Sequence, residues 1–222
     1  MFKNCVREKG MGVNFRKIDQ SDLEMIKNWK NQERILKNSR DRRVLTMEDQ
    51  QKWFQRISRS ETDDMYIVVR NGLPIGVCGL GRINKQDRTA EITYYLGIQT
   101  NPAIDVMVGG EVYIFLKRKG FKEYNLNRLY GEAFEFNEGG IKLACHCGFK
   151  KEGIRRQSVF WDGKYWDGIM VGLLAEEYWM QELIASLLAG DNFLSTLPPV
   201  LVTVVFVAVA GLIFAGLAAV NA

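Results

Sequence analysis

Histidine is nearly absent from this 222-residue chain, and the one present, His146, lies between Cys145 and Cys147. Three consecutive residues on a helix point to different sides, and no second pair of ligands accompanies them, so no metal is expected. Cysteine is scarce as well. Cys5, Cys78, Cys145 and Cys147 have no disulfide-framework spacing, and no signal-peptide pattern opens the chain, which places the body in the cytoplasm as an expectation. Beyond Lys164 there is no lysine or arginine at all. The 30 basic residues up to that point stand against all but five of the 26 acids, so the body is cationic and the remainder acidic. A basic body suits a polyanionic small molecule, and equally solubility or nonspecific nucleic-acid contact. No aromatic-and-basic nucleic-acid motif accompanies the charge, so no nucleic-acid partner is expected.

What is present alternates between strand and helix patterns. Residues 1–13 read as a loose polar leader, with Met11 an alternative start, and Asn14–Ile18 as a short strand. Ser21-Asp22-Leu23-Glu24 gives a capping-box start to a helix carrying Leu23, Ile26 and Trp29, and Thr46-Met47-Glu48-Asp49 starts a second with Trp53, Phe54 and Ile57. Two strands flank Asn71-Gly72, a pair that tolerates positive φ and so signals a tight hairpin. A third strand follows over Arg88–Ile98, then a helix, a strand at Arg128–Phe136, a helix over Glu138–Cys147 and a hairpin around Asp162-Gly163. This order is α/β with a mixed sheet, neither a parallel doubly wound fold nor an all-β one.

The stretch that organises the rest runs from Ala90 to Phe121. Ile92, Tyr94, Leu96 and Ile98 alternate with polar residues, and Val108, Val112, Phe115 and Leu116 then recur at helical spacing, so a helix is expected to start near Gly109-Gly110. A strand feeding a glycine-bearing turn at a helix N-terminus aims unpaired N–H groups and the helix dipole at one point. That reads either as a phosphate cradle or as an ordinary connection.

The runs YIVVRNGLPIGVCGL, AEITYYLGI, NRLYGEAFEFNEGGIKL, CGFKKEGIRR and FWDGKYWDGIMVGLL, in that order, resemble the GNAT acyltransferase superfamily over roughly Asn14 to Trp179. Within it the likeness is greatest to ribosomal-protein alanine N-acetyltransferases and to the UDP-4-amino-sugar N-acetyltransferase of pseudaminic acid synthesis, with NWKNQERI and LTMEDQQKWF resembling the second more. The resemblance implies a GNAT-like fold that binds acetyl-CoA as co-substrate. Leu96, Gly97 and Ile98 would pair with its pantetheine, Val108, Gly109 and Gly110 would hold its pyrophosphate, and Asn137 would help position it. Two departures stand out. In the pyrophosphate loop Ile104 replaces a basic or amide residue and Met107 a glycine, with Asp105 between them, and the family tyrosine that often protonates the leaving thiolate is Ala144 here.

An amine nucleophile must lose a proton, so a carboxylate base is expected, with Glu91 and Glu135 as the candidates. Arg40 and Arg42, in an Asn- and Arg-rich loop, either face solvent or meet a phosphorylated substrate. Trp161 and Trp166 either stack on a uracil or pack the hairpin. Past Trp179 the chain changes character. Residues 180–199 read as a short helix and linker. Residues 200–220 hold no charge and only Thr203 as a polar residue, enough to cross a membrane as a helix, with Gly211, Ala215 and Ala219 as a packing face for a homo-oligomer. The expectation is thus a GNAT-like acetyltransferase domain over 14–179, anchored by one C-terminal span with its body in the cytoplasm. Its acceptor is expected to be a nucleotide sugar, namely a UDP-4-amino-4,6-dideoxy sugar. The alternatives are acetylation of protein N-termini and a degenerate CoA-binding domain without catalysis.

Overall fold

The structure, a computed structural model, describes residues 6–7 and 12–189. Two compact units are separable, Met1–Tyr178 and Trp179–Ala222. The first opens with strands β1 (Val6–Arg7) and β2 (Val13–Lys17), then helices α1 (Leu23–Lys30), α2 (Glu33–Leu36) and α3 (Met47–Arg59). Strands β3 (Asp64–Arg70), β4 (Leu73–Asn84) and β5 (Thr89–Leu96) follow, then α4 (Pro102–Lys117), which widens into a π-helical turn over Arg118–Glu123. The unit continues through β6 (Arg128–Phe134), α5 (Glu138–His146), β7 (Lys150–Trp161) and β8 (Lys164–Leu174). Helix α6 (Ala175–Ala189) runs from the first unit into the second.

The strands form one mixed sheet in the order β1-β2-β3-β4-β5-β6-β8-β7. Every neighbour is antiparallel except β5 and β6, which run parallel across the α4 connection. The two-residue turns expected from sequence are present, with Asn71 at φ 49° and Gly72 at 80°, and Asp162 at 52° and Gly163 at 75°. Thr46 caps α3 in a reciprocal box with Asp49. The start of α1 differs from expectation, because Asp19, not Ser21, caps a short 3₁₀ turn that leads into the helix.

Side chains alternate across the sheet and find helices on both faces. On one face Ile67 and Val77 pack with Ile26 and Trp29 of α1 and Ile35 of α2. On the other, Phe15 stacks on Phe115 of α4 with ring centroids 4.0 Å apart, and Tyr66 meets the same ring edge-on at 4.9 Å. Helices therefore cover β2, β3 and β4 on both faces. What remains open is the seam where β5 and β6 part.

Two expectations are corrected here. Helix α4 begins at Pro102, about two turns before Gly109, because Asn101 supplies the N-cap and Pro102 fits the first helical position, where no N–H is required. The membrane-spanning part of the expected fold class is not upheld: among the described residues no helix is long and apolar enough to cross a membrane. The run 200–220, with its small-residue face, lies outside the described residues. The expected placement of a cytoplasmic domain on a single-span anchor loses its support with that finding.

Candidate active site

Strands β5 and β6 pair only through Thr89–Arg128, Ala90–Leu129 and Glu91–Tyr130. Beyond these positions β4 holds β5 as far as Leu96, while β8 holds β6 as far as Phe134, so the two strands are drawn to different partners and separate. A cavity of about 560 Å³ occupies the gap, walled by Tyr94, Leu96, Gly131, Ala133 and Asn137. A second cavity of about 550 Å³ lies on the α1–α3 face, against Trp53, Glu91, Tyr95 and Arg40. Lys30, Thr93, Tyr95, Glu132 and Phe134 line both, so the two spaces meet along that wall. An extended molecule entering from one face can thus meet a second one from the other.

The end of β5 is tightly held. The amides of Gly97 and Ile98 both donate to the Ile75 carbonyl, at 2.8 and 3.0 Å. The carbonyls of Leu96 and Gly97 accept from Arg34 at 2.8 and 2.7 Å, and Gln32 also donates to Gly97. Of the residues expected to pair with pantetheine, Leu96 lines the gap and Gly97 and Ile98 do not, and the Leu96 and Gly97 carbonyls and the Gly97 and Ile98 amides are already engaged within the chain. Asn137 also lines the gap, and its Oδ1 accepts from the Gly140 amide at 3.1 Å, capping α5.

Val108, Gly109 and Gly110 do not form a loop. They lie inside α4, past its first turn, where their amides belong to the helix ladder. The glycine at 109 has a packing reason instead, since a Cβ there would meet Leu143 of α5 and the Tyr94 hydroxyl. At the start of α4 the Asp105 amide donates to the Asn101 carbonyl at 2.8 Å and the Ala103 amide to Asn101 Oδ1 at 2.9 Å, so of residues 103–105 only Ile104 keeps its amide outside these bonds. The Asp105 carboxylate accepts from the Thr100 amide and hydroxyl at 3.2 and 3.1 Å. Met107 is an exposed helical residue, not a loop residue. Ala144 is buried on the gap wall, and burial pushes the neighbouring Tyr94 phenol up to about 12, leaving a protonated hydroxyl in the same cleft.

The carboxylates separate by position. Glu91 lines the α1–α3 cavity, with Arg82 at 3.2 Å. Glu135 falls just past the end of β6, is exposed, and lines neither cavity. Glu132 lines both, with its side chain only 9% exposed, paired with Arg40 and 3.6 Å from Arg155. Its Oε1 and the Ser158 Oγ are buried without a hydrogen-bond partner, and both abut Gly168. Sequence reasoning passed over Glu132, although an acid between Gly131 and Ala133 on the same strand face as Phe134 is an unusual occupant of a central strand.

Arg40, Arg42 and Trp161, expected from sequence as acceptor-binding residues, are brought together around Phe134. The guanidinium carbons of Arg40 and Arg42 lie 5.6 and 5.4 Å from that ring, and Arg42 lies 5.5 Å from Trp161. Arg42 also donates to the Phe160 carbonyl at 3.1 Å. Trp166 stands one step away, donating to the Trp161 carbonyl and meeting Phe136 edge-on. Lys30, which sequence reasoning did not single out, has its pKa lowered by burial, partly offset by Asp41. Among the described residues no group of acidic, histidine and cysteine side chains is placed to hold a metal.

Residues 15–170 match the family model of the GNAT acetyltransferase domain, and the chain belongs to that family. It is 30% identical over 140 residues to an uncharacterized N-acetyltransferase, p20, of Bacillus licheniformis, covering 60% of this chain and 68% of that protein. A prophage-derived uncharacterized N-acetyltransferase of Bacillus subtilis is 34% identical over 68 residues, 31% of this chain and 38% of its own. Among solved structures, the fold resembles a spermidine N-acetyltransferase from Vibrio cholerae in complex with CoA and spermine. The TM-score is 0.69 at 19% identity, covering 76% of this chain and 99% of that one. The chain is accordingly an acetyltransferase that draws on acetyl-CoA.

Proposed function

We propose that this GNAT acetyltransferase moves the acetyl group of acetyl-CoA onto the primary amine of a nucleotide-linked amino sugar, best a UDP-4-amino-4,6-dideoxy sugar. The observation that carries the proposal is the meeting of the two cavities across the β5–β6 gap, with a buried carboxylate, Glu132, in the shared wall. The thioester arm is assigned to the gap beside Leu96 and Asn137, and its pyrophosphate to the first turn of α4, where the Ile104 amide remains. The acceptor fits the α1–α3 cavity, whose rim carries Arg40, Arg43 and Lys52. Asp41, Asp49, Asp63, Glu91 and Glu132 line the same cavity, with Arg43 paired to Asp41 and Arg40 to Glu132, so its lining is close to charge balance.

The chemistry assigned to these residues is simple. The amine nitrogen attacks the thioester carbonyl, the C–S bond breaks, and the amine's proton passes to a carboxylate, directly or through water. Glu132 is the proposed acceptor of that proton, with Glu91 as the second carboxylate on the same wall. Tyr94 is the proposed donor to the departing thiolate in place of the missing family tyrosine. Holding both reactants at one point supplies up to about 7–11 kcal/mol of the barrier, more than a single proton transfer does.

A protein N-terminal amine is the competing acceptor, and spermidine enters through the solved relatives in whose names it stands. Thiol release from acetyl-CoA across UDP-amino sugars, N-terminal peptides and polyamines is the test. Release with the amino sugars supports the assignment, and release confined to peptides or polyamines moves it to that acceptor.

A further inference from the structure

Lys30 is the last residue of α1, and it stands where the two cavities meet. Among the described residues, Lys30, Lys37 and Lys52 are the lysines that line one cavity or the other, and their settings differ. Lys52 reaches the α1–α3 cavity from its rim, where it is 70% exposed and paired with Glu48. Lys37 lines the gap alone. Only Lys30 lines both spaces.

The ammonium of Lys30 lies 4.7 Å from the centre of the Tyr95 ring, and Tyr95 lines both cavities too. It makes neither hydrogen bond nor ion pair among the described residues, so nothing but the ring face holds it. The setting also favours the uncharged amine. Desolvation lowers the Lys30 pKa, and the negative charge of Asp41 offsets only part of that. A neutral amine is a nucleophile, and an ammonium is not.

The gap is the space assigned above to the thioester. Because Thr93, Tyr95, Glu132 and Phe134 wall it together with the acceptor cavity, an amine on that wall faces the acetyl group from the side an acceptor's amine would use. Lysine carries its nitrogen on a flexible four-carbon stem, and a nucleophile confined beside the thioester reacts as an intramolecular partner.

We propose that Lys30 is a site of self-acetylation, taking the acetyl group of bound acetyl-CoA when the acceptor cavity is empty. The inference goes beyond the acceptor assignment and rests only on the thioester lying in the gap. Nζ attacks the thioester carbonyl carbon, the C–S bond breaks with its electron pair leaving on sulfur, and the proton shed by the nitrogen passes to Glu132 or to water. The thiolate then takes a proton from solvent. The product is an amide, which is no acetyl donor, so the modified chain is an end state and not an intermediate. It has lost a positive charge from the wall that both cavities share.

The test is incubation of the full-length protein with acetyl-CoA and no acceptor, with thiol release followed and the modified residue mapped by peptide mass spectrometry. Release should stop near one equivalent per chain, with the acetyl group on Lys30. The rate per chain should not change with protein concentration, and excess CoA should slow it severalfold. Lys30→Arg keeps the cation and should abolish the release, and the wild-type map stands even if that variant folds poorly. Lys30 left unmodified overturns the proposal. So does acetylation spread over exposed lysines such as Lys52 and indifferent to excess CoA, which is reaction in free solution. A per-chain rate that climbs with protein concentration overturns it as well, because transfer is then between chains. Turnover on added amines is measured separately. Turnover with Lys30 unmodified removes this inference and leaves the acceptor assignment standing, whereas Lys30 acetylation without turnover on UDP-amino sugars removes the acceptor assignment alone.

Discussion

Gly97 shows most directly how one residue sets the site. A Cβ at this position would collide with the indole of Trp29, a buried residue of α1. The absence of a side chain is what lets α1 press against the end of β5 while Arg34 reaches the Leu96 and Gly97 carbonyls. Gly97→Ala should therefore cost about 1–3 kcal/mol, as overpacking of a well-filled site does. Thermal unfolding reads the loss, and CoA titration should show weaker binding. Met107 gives the opposite lesson. A missing loop glycine suggests that Met107→Gly would tighten CoA, but Met107 is 46% exposed on the interior of α4. Its replacement by glycine should cost about 1 kcal/mol of helix stability and leave CoA affinity unimproved. Glu135 and Glu132 were separable only in three dimensions, because strand alternation says which residues share a face but not which face meets the cleft.

At the scale of the element, the decisive feature is where α4 begins. Asn101 as cap and Pro102 in the first position form a start signal readable in the sequence, but the nearly continuous apolar run that follows has weak periodicity, and the glycine pair drew the boundary inward. The pyrophosphate is proposed to meet the first turn of α4 at the Ile104 amide, where Asp105 adds a negative charge beside it. Asp105→Asn should thus tighten CoA about two- to fivefold at low salt, the range implied by one charge near a helix terminus. Titrations at low and high ionic strength check this, and an unchanged affinity at both would place the phosphates elsewhere. The hairpins, the cap of α3 and the mixed order of strands were legible because turn chemistry and alternation are local. The parting of β5 and β6 is not of that kind. Its cause is nonlocal, since it depends on β4 and β8 each retaining its neighbour.

Across the whole molecule, one buried carboxylate ties distant elements together. Asp64 accepts from Lys17 of β2 and from the Tyr66 and Tyr124 hydroxyls, each phenol at 2.9 Å, with Lys119 of the π-helical turn at 3.7 Å. Burial acts to raise its pKa, but the hydrogen bonds from Lys17, Tyr124 and Tyr66 and the charge of Lys17 prevail, and the net shift is downward. A lowered folded-state value means that its contribution is present above the unfolded carboxylate value of about 4 and is lost as pH falls through the folded one. At the alkaline end Tyr66, raised to about 12 mainly by burial, contributes stability that fades as pH climbs from about 10 through that value. Asp64→Asn should destabilise the protein by about 1.5–3 kcal/mol at pH 7 and flatten the acid limb of its stability profile. Denaturant unfolding between pH 2 and 7 measures both.

The central claim is that acetyl transfer occurs where the two cavities meet, with Glu132 as the carboxylate that serves the amine. Thiol release from acetyl-CoA with a UDP-4-amino sugar, followed for the wild type, Glu132→Gln and Glu135→Gln side by side, addresses it most directly. Turnover by Glu132→Gln is predicted to fall by about 10²–10⁴-fold with CoA binding retained, while Glu135→Gln stays close to wild type. The reverse pattern, with Glu135→Gln inactive and Glu132→Gln unimpaired, would contradict the account.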